Sequence, residues 1–275
     1  MIAGIIGGTG KMGRLFGSVI ERHGFEVLVS GRSTPLTNRK LAEESDLVMV
    51  SVPIRSTVGV IGEIAPLLTE DQLLCDLTSL KEGPVKAMVA SKAQVLGTHP
   101  LFGPTVSSLR NQTIILTPAR CGGALSLRLP EILRDEGANL VVMTPEAHDR
   151  LMAVIQGLTH FGNLCMADAI RRTGTDLAAA LNATSPVYRI QMGLIGRLLS
   201  QDPTLYGDML QMNPYVPDVL SAFGGAAADL RGLVESGDLT SFTEFFERLA
   251  GMYRPHGEQA TAETDALIEF MAGKR

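Results

Sequence analysis

The sequence predicts an α/β protein in which a doubly wound, mostly parallel sheet is followed by an all-α C-terminal domain. Three observations carry that expectation. Short β-branched runs alternate with helical stretches from Ile2 to about Met143, which is the pattern of a parallel α/β sheet. A glycine-rich turn, Gly8-Thr9-Gly10-Lys11-Met12-Gly13, follows directly on the first apolar run and opens a helix. Beyond Thr144-Pro145, which reads as an N-cap with proline at the first helical position, helix-period apolar residues run to the end.

The strands are expected over 2–6, 26–30, 47–52, 73–76, 94–97, 113–116 and 140–143. Most are continuous apolar runs, as strands covered on both faces are. Right-handed crossovers then wind the sheet into a Rossmann-like domain over 1–144. The helices of the second domain, 145–275, are expected over 145–172, 176–183, 186–200, 203–212, 217–236, 240–253 and 258–272. Gly174, Ser185-Pro186, Asp202-Pro203, Asn213-Pro214 and Gly237 punctuate them. The small stripe Gly224-Gly225-Ala226-Ala227-Ala228 suggests a close helix–helix contact and suits a dimer core.

Composition excludes several classes of function. A length of 275 residues with 45% apolar content supplies a core for each of two units. Mean hydropathy is +0.18, yet no run approaches the ~20 apolar residues of a membrane helix. The start, Met-Ile-Ala-Gly-Ile-Ile-Gly, lacks a basic n-region and already reads as a buried strand, so the mature protein is expected to begin at Met1. Cys75, Cys121 and Cys165 are scattered and never form C-x-x-C, which argues against a disulfide framework or a thiolate metal site and for a reducing compartment, the cytoplasm. A net charge of -5 without a basic cluster offers no footprint for nucleic acid. An anionic substrate must therefore be met by a few local cations.

The glycine turn fits G-x-G-x-x-G in the strand-to-helix context that gives the motif its meaning. Gly8 permits the tight turn, Gly10 lets backbone approach a pyrophosphate, Gly13 lets helix pack on strand, and the helix N-terminus faces the phosphates through Thr9, Lys11 and Met12. An NAD site usually carries an acid at the end of the second strand. Here that segment reads Val29-Ser30-Gly31-Arg32-Ser33-Thr34. Ser30, Arg32 and Ser33 suit the 2′-phosphate of NADP, with NAD the alternative if Arg32 stacks on adenine or points into water.

Chemistry in such sheets happens beyond the C-terminal strand ends. The fifth strand runs into Thr98-His99-Pro100-Leu101-Phe102-Gly103-Pro104, and an imidazole at His99 can take a hydroxyl proton while hydride leaves the same carbon. Ser79 and Lys81, after the fourth strand, fall at the same edge; Ser79 can orient His99 or touch the nicotinamide, and Lys81 is either a carboxylate ligand or a solvated helix-start charge. In the helical half, His160 in Gln156-Gly157-Leu158-Thr159-His160-Phe161 is a ligand contact or a satisfied core histidine. Arg189 and Arg197 sit roughly 80° apart on one expected helix, with Gly193 and Gly196 between. They suit bidentate carboxylate recognition, or else lie in surface ion pairs.

Together, the glycine turn, Asp76 to Lys81, His99 to Pro104, Gln156 to Phe161, Ser185-Pro186-Val187-Tyr188-Arg189 and Gly196-Arg197-Leu198-Leu199-Ser200-Gln201-Asp202-Pro203-Thr204-Leu205-Tyr206 resemble the prephenate dehydrogenase family across nearly the whole chain. The likeness is nearest to the dehydrogenase module of bifunctional chorismate mutase/prephenate dehydrogenases. With no mutase segment before Met1, a monofunctional enzyme is expected. The resemblance implies that His99 is the catalytic histidine, that Ser79 bridges it to the nicotinamide, that Arg197 grips the ring carboxylate, that His160 lies near the substrate, and that Lys81 and Arg189 support the site. It also implies a homodimer formed through the helical domain, no metal, and oxidative decarboxylation of prephenate to 4-hydroxyphenylpyruvate in tyrosine synthesis. Arogenate differs only by an amine in place of a keto group, and no acidic partner for an amine is identifiable. The same glycine turn with Ser30-Gly31-Arg32 also resembles deazaflavin-dependent NADP reductases and hydroxyacid dehydrogenases. A dinucleotide-sensing regulator without turnover is the alternative of another class.

Overall fold

A computed structural model describes residues 1–273; the last two residues of the expected helical domain lie outside the described part. By contacts the chain divides into two units. The first is Met1–Ile155 together with Thr204–Tyr215, and the second is Gln156–Pro203 together with the chain from Val216 onward. The expected division was a single cut after 144. In the grouping by contacts, the start of the second half and the segment Thr204–Tyr215 fall with the sheet-bearing unit.

The first unit is built on seven strands: β1 (Ile2–Ile6), β2 (Glu26–Ser30), β3 (Leu47–Val50), β4 (Leu73–Asp76), β5 (Gln94–Pro100), β6 (Thr113–Arg120) and β7 (Asn139–Val142). Their spatial order is β2-β1-β3-β4-β5-β6-β7. Every neighbouring pair is parallel except β5 with β6, which is antiparallel. The connection from β5 to β6 contains no crossover helix, and an antiparallel partner requires none. β5 also runs longer than expected, through Pro100. His99 therefore lies inside the strand, opposite Ile115, rather than beyond its end.

Helices α1 (Lys11–Arg22), α2 (Asn38–Glu44), α3 (Ile54–Ile64), α4 (Glu82–Val89) and α5 (Ala124–Asp135) cover both faces. Alternation along β1 sends Ala3 and Ile5 into a core with Phe16, Val19, Ile20, Leu129 and Ile132 from α1 and α5. It sends Ile6 into the opposite core with Leu41, Ile61, Val85 and Met88 from α2, α3 and α4. Because β1 lies between β2 and β3, the winding direction reverses beside it. That reversal opens the crevice in which open α/β sheets bind ligands.

The expected helix 145–172 is α6 (Pro145–Met152), a π-helical stretch (Ala153–Leu158) and α7 (Thr159–Arg172). Thr144 caps α6 by accepting a hydrogen bond from the Ala147 amide, which is the N-cap expected from the sequence. The remaining helices are α8 (Leu177–Asn182), α9 (Pro186–Leu199), α10 (Pro203–Met212), α11 (Val216–Ser236), α12 (Leu239–Tyr253) and α13 (Gly257–Ala272). Asp176, Ser185 and Asp238 cap α8, α9 and α12 with their side chains. Within the first unit, Met209 of α10 packs with Ile54 and Leu80, and Arg55 of α3 forms an ion pair with Asp208. In the stripe Gly224 to Ala228, a Cβ at either glycine would meet open space. The close approach expected there is not made among the described residues.

Candidate active site

The glycine turn is tight because the local packing leaves no room for side chains. A Cβ at Gly13 would come within 2.6 Å of the Gly8 Cα, and one at Gly8 within 2.9 Å of the Ile5 carbonyl oxygen. Gly7, at φ +81, would place a Cβ 2.1 Å from the Ser51 carbonyl oxygen. Helix α1 then begins at Gly10 without a side-chain cap, so its first amides point their partial positive charge outward. Thr9, Gly10 and Lys11 are exposed and Met12 is half-buried. An open backbone cradle at a helix N-terminus fits the pyrophosphate of a dinucleotide.

At the end of β2 the structure corrects one expectation. Ser30 is fully buried and donates its hydroxyl to the Asn38 side-chain oxygen at 2.8 Å, so it holds α2 to the sheet and does not reach a phosphate. Arg32 and Ser33 are exposed on the following loop, and no acidic side chain pairs with Arg32 among the described residues.

The centre of the site is a chain of buried polar groups at the ends of β4 and β5. His99 is 2% exposed, and its Nδ1 lies 2.8 Å from Nε2 of His148 on α6. His148 is itself fully buried, and its Nδ1 lies 2.7 Å from the Asp149 carboxylate. That carboxylate accepts the backbone amides of Lys81 at 2.8 Å and Glu82 at 3.0 Å, at the start of α4. Asn213 holds the Asp149 carbonyl at 2.8 Å. Burial, with His148 and the Lys81 cation nearby, holds the His99 imidazole well below its usual range. Burial also lowers His148, against the opposing pull of Asp149. A lowered imidazole favours its neutral form, the one in which it accepts a proton.

Lys81 is the second correction. Its side chain is wholly buried, its Nζ pairs with Asp76, and it donates to the Thr98 carbonyl at 2.8 Å. A buried ammonium must be paired where it lies, so this charge ties β4 to β5 and does not hold a substrate carboxylate. Asp76 accepts further bonds from the amides of Thr78 at 3.0 Å and Thr98 at 3.3 Å. Ser79 is half-buried on the same loop. Thr117 Oγ1, fully buried, has no hydrogen-bond partner among the described residues, and it lies where a Cβ at Gly97 would come within 2.2 Å.

The other expected residues belong to the second unit. His160 on α7 is half-buried, and burial lowers its imidazole. Arg189 and Arg197 are both on α9, the first half-buried and the second exposed. Among the described residues neither is in an ion pair. Arg189 lines a pocket of about 140 Å³ with Thr184, Pro186, Met271 and Ala272.

His148 and Asp149 were not identified from the sequence, and Asp76 was read there only as a strand end and part of a family segment. The pair His148-Asp149 in the first turns of a helix was the only local trace of them, and nothing in that spacing names a partner lying 49 positions away.

Comparison with known proteins gives a consistent result. A family model described as prephenate dehydrogenase, nucleotide-binding domain, matches residues 34–142. One described as prephenate dehydrogenase, dimerization domain, matches residues 144–248. The chain is 32% identical to a "Probable arogenate/prephenate dehydrogenase" of Methanocaldococcus jannaschii, over 96% of this chain and 64% of that protein. It is equally, 32%, identical to a "T-protein" of Enterobacter agglomerans, over 96% of this chain and 70% of that protein. The chain thus spans about two thirds of the length of these relatives. The solved prephenate dehydrogenase of A. aeolicus, in complex with hydroxyphenyl propionate and NAD+, shares the fold with a TM-score of 0.75 at 21% identity, over 93% of this chain and 98% of that one.

Proposed function

The chain belongs to the prephenate dehydrogenase family of oxidoreductases, and we propose that it oxidatively decarboxylates prephenate to 4-hydroxyphenylpyruvate, a step of tyrosine synthesis. The observation that carries this reading is a neutral, buried imidazole at His99, held from behind by His148 at 2.8 Å, at the strand edge where α/β sheets react. With Nδ1 held by His148, Nε2 is the nitrogen that exchanges a proton with the C4 hydroxyl of the substrate. A dinucleotide held at the glycine turn would supply the hydride acceptor for C4. His99 takes the hydroxyl proton as the carbonyl forms, the C1–carboxylate bond breaks with release of carbon dioxide, and the proton returns to the phenolate oxygen as the ring aromatises.

Gly8, Thr9, Gly10, Lys11, Met12 and Gly13 supply the backbone for the pyrophosphate. Exposed Arg32 and Ser33, with no acid at the end of β2, support NADP over NAD. Ser79 orients His99 against the nicotinamide. Arg197 binds the ring carboxylate with Arg189 as support, and His160 serves substrate binding; each charge-assisted bond contributes about 1.5–3 kcal/mol. Over-stabilising the departing carboxylate would slow its loss, so Arg197 serves mainly to bind and orient. Residues 1–144 form the cofactor domain and 145–275 the substrate and dimer domain.

The family match to a dimerization domain, together with exposed Leu239, Phe246, Met252 and Phe270, supports a homodimer through the helical region. Sedimentation at micromolar protein should find twice the chain mass. The three cysteines are unpaired, in keeping with a cytoplasmic enzyme, and no described helix is long and apolar enough to cross a membrane.

The deciding experiment follows the near-ultraviolet absorbance of reduced nicotinamide with prephenate or arogenate and with either NADP+ or NAD+. Turnover with prephenate, faster with NADP+, is expected. A preference for arogenate would change the substrate, a preference for NAD+ would remove Arg32 and Ser33 from phosphate recognition, and no turnover with either substrate would refute the activity.

A further inference from the structure

We propose that His148 and Asp149 are positioning residues that set the tautomer of His99 and share the proton it receives. The inference rests on the reading of His99 as proton acceptor held by His148, and adds Asp149, the tautomer of both rings and the fate of the proton. It follows from counting donors and acceptors along the chain of buried groups. The Asp149 carboxylate already accepts two backbone amides, Lys81 at 2.8 Å and Glu82 at 3.0 Å, so it is held as an acceptor at the start of α4. Its contact with His148 at 2.7 Å then requires the proton on His148 Nδ1. A neutral imidazole carries one N–H, which makes His148 Nε2 an acceptor. The 2.8 Å contact with His99 requires in turn that His99 carry its proton on Nδ1. Nε2 of His99 is thereby fixed as the basic nitrogen.

The same chain gives the incoming proton somewhere to go. When Nε2 of His99 takes the hydroxyl proton, the Nδ1 proton can cross to Nε2 of His148. The protons balance, and the resulting imidazolium stands against the Asp149 carboxylate. The charged groups around the rings favour that endpoint. The Lys81 cation, paired with Asp76, disfavours a positive charge on either ring, and Asp149 opposes it at His148. If the role of Asp149 were only to cap α4, an apolar residue at position 148 would leave the chemistry intact.

The test compares His148→Phe and His148→Gln with the wild type. In His148→Phe, kcat should fall on the order of 100-fold or more, while the prephenate KM and the dinucleotide Kd change by no more than about threefold. His148→Gln keeps an oxygen that accepts from His99 Nδ1–H and should recover part of the loss. Nitrogen-15 spectra of the imidazoles, assignable by substitution because the chain has 5 histidines, should find His99 protonated on Nδ1 in the wild type and in His148→Gln, and mixed in His148→Phe. A wild-type kcat in a folded His148→Phe, or His99 protonated on Nε2 in the wild type, would overturn the relay. Because the spectra need no turnover, they decide the relay even if neither prephenate nor arogenate is oxidised, an outcome that would defeat the proposed activity instead.

Discussion

The two units of this chain solve the problem of polar and apolar groups in opposite ways. The sheet-bearing unit turns its chemistry inward: His99, His148, Asp149, Lys81 and Asp76 are all buried, and each is engaged by a neighbour a few ångströms away. In the helical unit, α7, α8, α12 and α13 bury no residue, and Leu239 and Met252 are more than 70% exposed. Among the described residues Arg189 and Arg197 carry no ion pair, whereas Arg171, Arg172, Arg231 and Arg254 of the same unit do. A preorganised interior suits groups that must hold a proton in one geometry. A helical surface with unsatisfied apolar faces and free guanidinium groups suits association with a second chain and with an anion.

The largest effect expected from this contrast is catalytic. Replacing His99 by Asn should lower kcat by roughly 10²- to 10⁴-fold while dinucleotide binding stays near normal, because only the proton acceptor is removed. A near-wild-type kcat in steady-state assays would break the assignment of chemistry to the buried unit. Next comes stability. Lys81→Met leaves Asp76 as an uncompensated buried carboxylate and should cost about 3–5 kcal/mol in urea unfolding. The double substitution with Asp76→Asn should recover much of that cost, and a single variant as stable as wild type would place the lysine outside the core.

In the helical unit the prediction has a different form. Arg197→Ala should raise the prephenate KM by about 10- to 100-fold with little change in kcat or melting temperature. An unchanged KM would remove Arg197 from substrate binding. The smallest effect tests the rim of the sheet unit, where the Arg22 guanidinium, and less strongly His23, hold the Glu136 carboxyl below its usual range. A lowered carboxylate pKa adds stability above the unfolded value and loses it as pH falls through the folded one. Glu136→Gln should therefore cost no more than about 1 kcal/mol at neutral pH, given the exposed partner. The gap between variant and wild type should close in acid, and a gap that persists there would assign the cost to packing.

The sequence by itself determined the elements: the strand and helix alternation, the glycine turn that only residues without a Cβ can form, the side-chain cap Thr144, and the all-helical second half. These are local properties, written in periodicity and in the backbone freedom of single residues. It also pointed to His99, because the C-terminal part of a strand is a place as well as a sequence, although His99 lies within β5 and not past it. Tertiary structure alone decided that Lys81 and Ser30 are interior ties and not ligands, that β6 runs against β5, and that His148 and Asp149 stand behind His99. The physical reason is that burial and partnership are set by crossovers that bring distant segments to one sheet edge. A lysine or a histidine has the same local spacing whether its charge ends in water, on a ligand or on a buried carboxylate.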